Sequence, residues 1–171
     1  DHDFGVLIGS EYQKSTNDGY SESIIDVVES PRNDNNPSEH SFLSYFSRVN
    51  YKYKDRYLLQ ATARVDGSSR FGRNNRYGFF PSVSAGWIIS EEKFLKESET
   101  ISFLKVKASY GLTGNANIPD YARFGTYSAA DNGILYNGEP IIFPLQLANP
   151  NLRWETSRTI DASVEVGLWQ D

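Results

Sequence analysis

The sequence predicts an all-β chain whose antiparallel up-and-down strands form part of the wall of a transmembrane β-barrel. Three observations carry this. Apolar and polar residues alternate in six separate runs. Aromatic residues gather near the ends of those runs, where amphipathic rings meet headgroups. The connections read long, short, long, short, long, as periplasmic turns and outer loops do. A period of two puts alternate residues on opposite faces of a strand, so each run has one apolar face.

The first run covers about Phe4 to Gln13, with Phe4, Val6, Ile8 and Tyr12 opposite Gly5, Leu7, Gly9, Glu11 and Gln13. Lys14 to His40 follows as a polar loop rich in turn residues. The second run, about Ser41 to Tyr53, aligns Leu43, Tyr45, Val49, Tyr51 and Tyr53 against Ser44, Arg48, Asn50 and Lys52. Lys54 to Arg56 is a tight turn. The third, about Tyr57 to Asp66, aligns Leu59, Ala61, Ala63 and Val65 against Gln60, Thr62, Arg64 and Asp66. A loop from Gly67 to Arg76 leads to the fourth, about Tyr77 to Ile89, with Phe79, Pro81, Val83, Ala85 and Trp87 opposite Phe80, Ser82, Ser84 and Gly86. Ser90 to Lys96 reads as one short helical turn capped by Ser90. The fifth run, about Phe103 to Thr113, sets Leu104, Val106, Ala108, Tyr110 and Leu112 against Lys105, Lys107, Ser109, Gly111 and Thr113. Gly114 to Asn151 is a third long loop. The last run, Leu152 to Leu168, places Trp154, Ile160, Ala162, Val164 and Val166 on the face opposite Arg153, Glu155, Asp161 and Glu165. Tyr51, Tyr53, Tyr57, Trp87 and Trp169 form one expected aromatic belt; Tyr12, Tyr77, Tyr110 and Trp154 form the other.

Composition narrows the function classes. The chain has 171 residues, no Met and no Cys, and a net charge of −5. No disulfide, thiolate metal site or thiol catalysis is available, and nucleic acid is an unsuitable partner. The chain starts at Asp1 without Met, so a mature chain or a piece of one is expected. The mean hydropathy of −0.53 would exclude a helical membrane protein, but only alternate residues of a barrel strand meet lipid. No window reaches the roughly 18 apolar residues of a spanning helix. Six strands fall short of the roughly eight that close a membrane barrel, so a larger barrel is expected.

Catalytic patterns do not appear. Glu91 and Glu92 are adjacent rather than spaced as an acid pair. His2 and His40 fall in predicted terminal and loop regions. Asp34, Asn35 and Asn36 offer oxygens for calcium without the rest of a binding loop. No enzyme, cofactor or metal site is expected. The rival readings are a soluble carbohydrate-binding β-sandwich and a structural outer-membrane barrel without transport. They differ at Val83, Ala85, Ala108, Val164 and Val166: exposed in a barrel wall, buried in a sandwich.

Several blocks occur collinearly: Arg64-Val65-Asp66-Gly67-Ser68-Ser69-Arg70-Phe71-Gly72, then Arg76-Tyr77-Gly78-Phe79-Phe80-Pro81-Ser82-Val83-Ser84-Ala85-Gly86-Trp87, then Ile89-Ser90-Glu91-Glu92, then Leu104-Lys105-Val106-Lys107-Ala108-Ser109-Tyr110-Gly111-Leu112-Thr113-Gly114-Asn115, then Asn149-Pro150-Asn151-Leu152-Arg153-Trp154-Glu155. In this order the chain, from about Phe46 to Leu168, resembles the barrel of the SusC/RagA family, TonB-dependent outer-membrane transporters of Bacteroidetes. The resemblance implies that residues 1–171 are part of a 22-stranded barrel, with the plug domain and remaining strands outside them. It implies a SusD-like surface lipoprotein as lid, energy from the TonB complex, and import of oligosaccharides or peptides. On it, Gln60, Thr62, Arg64, Asp66, Arg153, Glu155, Asp161 and Glu165 face the lumen, where such groups can contact the plug, line a wet passage or hold water, with the plug favoured. Arg70, Arg73, Asn74 and Asn75 cluster with Arg76 on an outer loop that could bind substrate or partner; a solvated loop fixed by the strands beside it stays open for them. Tyr121, Phe124, Tyr127 and Tyr136 could stack on sugar rings or pack on the lid; a loop core or a short strand stays open for them.

Overall fold

The computed structural model describes residues 1–18, 22–23, 32–33, 37–129, 135–137 and 139–169. The strands are β1 (His2–Asn17), β2 (Glu22–Ser23), β3 (Arg32–Asn33), β4 (Ser38–Tyr53), β5 (Tyr57–Ser68), β6 (Tyr77–Ile88), β7 (Ile101–Asn115), β8 (Thr126–Ala129), β9 (Leu135–Tyr136), β10 (Glu139–Pro140), β11 (Ile142–Gln146) and β12 (Glu155–Leu168). One six-stranded antiparallel sheet, ordered β1-β4-β5-β6-β7-β12, forms the wall. Short two-stranded ribbons, β2–β3, β9–β10 and β8–β11, decorate its connections.

Register shows why the alternation works. Val6, Val49, Ala61, Val83, Tyr110 and Ile160 stand side by side across the six wall strands. One residue over, Gly5, Asn50, Gln60, Ser84, Ser109 and Asp161 form a polar row on the other face. A slip of one residue in any strand would put polar groups on the apolar face. That apolar face is uncovered: Val83 is 51% exposed, Val164 61% and Ile160 75%. Val166, Ala85 and Ala108 are exposed as well. No second sheet packs on it among the described residues, so the sandwich reading falls.

At the short-turn end, His2, Tyr53, Tyr57 and Trp87 lie in register, with successive ring centroids 4.8, 6.1 and 6.2 Å apart. Glu92 ties the two turns there, accepting hydrogen bonds from Tyr57 Oη (2.8 Å), Arg56 Nη1 (3.0 Å) and Trp87 Nε1 (3.2 Å). Those bonds, from Tyr57 above all, hold its carboxyl below the usual range.

Five expectations need correction. Strand β1 runs on to Asn17 and β4 begins at Ser38, because Ser15 to Asn17 pair with His40 to Ser38 despite their polarity. The helical turn is a 3-10 segment, Ile89–Glu91, whose N-cap is Ile88; Ser90 is buried and does not cap it. The connection 89–100 is longer than 69–76, so loop length does not alternate strictly. Tyr110 pairs with Val83 and Ile160 inside the wall rather than at its rim. Trp154 precedes β12 and leaves its alternation, so its ring turns to the polar face. Asp34, Asn35 and Asn36 lie outside the described residues.

Candidate functional site

The polar face and the long-loop end carry the groups that could meet a ligand or partner. On the polar face, charged side chains find partners both along a strand and across neighbouring strands. Arg64 Nε donates to Asp66 Oδ1 at 2.6 Å, and its Nη2 donates to the buried Ser44 Oγ at 3.0 Å. Asn115 Nδ2 donates to Glu155 (3.0 Å), and Ser109 Oγ to Asp161 (3.3 Å). Lys107 pairs with Glu165, which Lys105 approaches to 3.8 Å. Thr62 shares a hydrogen bond with Ser82, and Gln60 is exposed between Asn50 and Ser84. Seven of the eight expected polar-face residues thus lie on that face. Arg153 sits in the coil before β12, exposed. Toward the short-turn end this face opens into a concavity of about 570 Å³ lined by Asp3, Asn50, Gln60, Lys105, Lys107 and Asp161 among others. Such a matched, hydrogen-bonding surface suits packing against another polar protein surface.

At the long-loop end the segments after β5 and β7 fold onto the polar face. Phe80 lies over Gly78 and Gly114, where any added methyl would overlap its ring. Trp154 packs on Phe71 (5.1 Å between centroids), Phe80 (5.3 Å) and Phe42 (6.3 Å). Phe71 is fully buried. The Trp154 Nε1–H donates to the Arg76 carbonyl at 3.0 Å, so the ring also anchors the loop backbone. Arg123 Nη1 donates to the carbonyls of Ser69 (3.3 Å) and Phe71.

Beside this cluster Arg70 is 16% and Asp120 12% exposed. Arg70 Nε donates to Asp120 Oδ1 at 2.6 Å and its Nη1 to the Ala116 carbonyl at 3.1 Å. His40 Nδ1 is 3.2 Å from Asp120 Oδ2. Burial pushes the Asp120 carboxyl up, but hydrogen bonds from Arg70, His40 and Ser38 outweigh it and hold the carboxyl below its ordinary value. The guanidinium of Arg70 is therefore occupied in holding loops together. Arg73 and Asn74 are exposed at the loop tip, while the Asn75 N–H closes a turn onto Gly72 O at 3.0 Å. Tyr121 has φ 64° and its hydroxyl accepts the Glu39 N–H at 3.3 Å. Tyr127 and Tyr136 lie in β8 and β9, 70% and 78% exposed. Asp120, Arg123 and His40 escaped the sequence reading as site residues; each is a lone polar residue that no periodicity marks. Among the described residues no three His, Asp or Glu side chains converge on a metal position.

The comparisons agree with this geometry. A sequence model of the family described as "TonB dependent receptor-like, beta-barrel" matches residues 1–171. TonB-dependent receptor P3 of Formosa agariphila is 39% identical over 99% of this chain, which spans 18% of that protein. TonB-dependent receptor SusC of Bacteroides thetaiotaomicron is 35% identical over 98% of this chain, again 18% of its length. Among solved structures, the RagAB peptide transporter superposes with a TM-score of 0.80 at 28% identity, covering 98% of this chain and 20% of that one.

Proposed function

The chain belongs to the TonB-dependent receptor-like β-barrel family, and from that membership we propose that it serves as wall and outer mouth of a nutrient importer of the SusC/RagA kind. The observation that carries this is the uncovered apolar face, Val83 to Ile160, backed by a face of paired charges. That arrangement suits hydrocarbon on one side and a hydrated, protein-filled lumen on the other. Outer-membrane location follows from the family. Among the described residues β1 and β12 each pair on one side only, and open edges are costly in lipid, so in this proposal further strands complete the ring.

In this reading the polar-face residues Gln60, Thr62, Arg64, Asp66, Glu155, Asp161 and Glu165 contact a plug, and Arg153 faces the mouth. Arg73 and Asn74, with Tyr121, Tyr127 and Tyr136, meet substrate or a SusD-like lipoprotein, with Arg70 and Asn75 shaping the loop they use. Exposed Ile142 and Leu145 beside Tyr127 support a partner at the long-loop end, since apolar surface in water favours cover. The imported class is oligosaccharide, with peptide as the alternative favoured by the likeness to the peptide transporter RagAB. Uptake of a labelled oligosaccharide mixture and a labelled peptide mixture tests this in cells carrying the full-length receptor. TonB-dependent import of one class is expected. An assembled receptor importing neither would contradict the proposal.

A further inference from the structure

We infer that residues 68–76 and 116–124 form one rigid cap, fixed to the polar face of the wall, which does not open when the mouth admits a ligand. Three independent fastenings support it. The first is apolar: Phe71, wholly buried, is held with Trp154 and Phe80 over the strand glycines Gly78 and Gly114. The second crosses between segments: Arg70 of one grips Asp120 and the Ala116 carbonyl of the other. The third crosses the opposite way, with Arg123 of the second segment donating to the Ser69 and Phe71 carbonyls of the first.

The wall contributes at both margins. Ser69 N–H donates to Ser41 O at 3.0 Å and Ser41 N–H to Ser69 Oγ at 2.9 Å, and His40 reaches Asp120. Opening the cap would strand a largely buried guanidinium–carboxylate pair and expose the Phe71–Trp154 contact at once. Loops that move are drawn from regions with few buried contacts, the reverse of this arrangement. The exposed β8–β11 ribbon, by contrast, keeps Ile142, Leu145 and Tyr127 in solvent. Arg73, Asn74 and Tyr121 are then presented at fixed positions, and any gating belongs to elements outside the cap. The rigidity of the cap stands whether or not the import reading holds; that it stays shut as the mouth admits a ligand rests on that reading.

Hydrogen exchange followed by mass spectrometry on the full-length receptor in detergent micelles tests it. Peptides spanning 68–76 and 116–124 are expected to exchange about tenfold slower or more than those spanning 142–148. Arg123→Ala, altered in the second segment, is expected to speed exchange in 68–76. Phe71→Ala, altered in the first, is expected to speed exchange in 116–124, with 57–66 unchanged in both. Where Phe71→Ala does not assemble, Phe71→Leu serves with the same outcomes. Wild-type segments exchanging as fast as 142–148, or variants that loosen only their own segment, would overturn the cap.

Discussion

At Asp120 a carboxylate that burial would neutralise stays charged because Arg70, His40 and Ser38 donate to it. Its folded-state pKa is lowered, so its stabilising contribution is complete above the ordinary value of 3.8 and is lost as pH falls through the lower folded value. Exchange protection in 116–124 is therefore expected to fall on acidification below about pH 4, and Asp120→Asn to remove that pH dependence. Unchanged protection of the wild type at acid pH would contradict it. None of this was legible beforehand: His40 and Asp120 are 80 positions apart and meet only through the folded loops. Trp154 was misread for a related reason. Its parity matches Ile160, but β12 begins only at Glu155, and a break in phase of one residue leaves no mark on the letters.

Among the elements, the turn between β4 and β5 stands out for its backbone. Lys54 and Asp55 have φ of 51° and 56°, and Arg56 N–H closes the turn onto Tyr53 O at 3.1 Å. Two left-handed positions in a hairpin favour Asn-Gly, and side chains with a Cβ are disfavoured there. The double change Lys54→Asn, Asp55→Gly is expected to raise barrel stability by about 1–2 kcal/mol, read as a higher unfolding midpoint in urea. The exposed Lys52–Asp55 pair that it removes contributes little. A lowered midpoint would mean that the turn is held by its side chains instead. The six wall strands were legible because alternation repeats over many residues. The β8–β11 ribbon was legible only as the short-strand alternative at Tyr127, because its strands are four and five residues long and carry too few alternations.

For the whole molecule, the order of the sheet follows the order of the chain, and each wall strand borders its sequence neighbour. That simplicity let the wall be read from one sequence, whereas the cap depends on long-range side-chain meetings. The central claim is that the row from Val6 to Ile160 faces hydrocarbon. Nitroxide labels at Val83, Ile160 and Val164, one at a time, in the full-length receptor in lipid bilayers test it by relaxation enhancement. High accessibility to oxygen with exclusion of a water-soluble nickel chelate is the expected result. Labels shielded from both reagents, or open to the chelate, would contradict it.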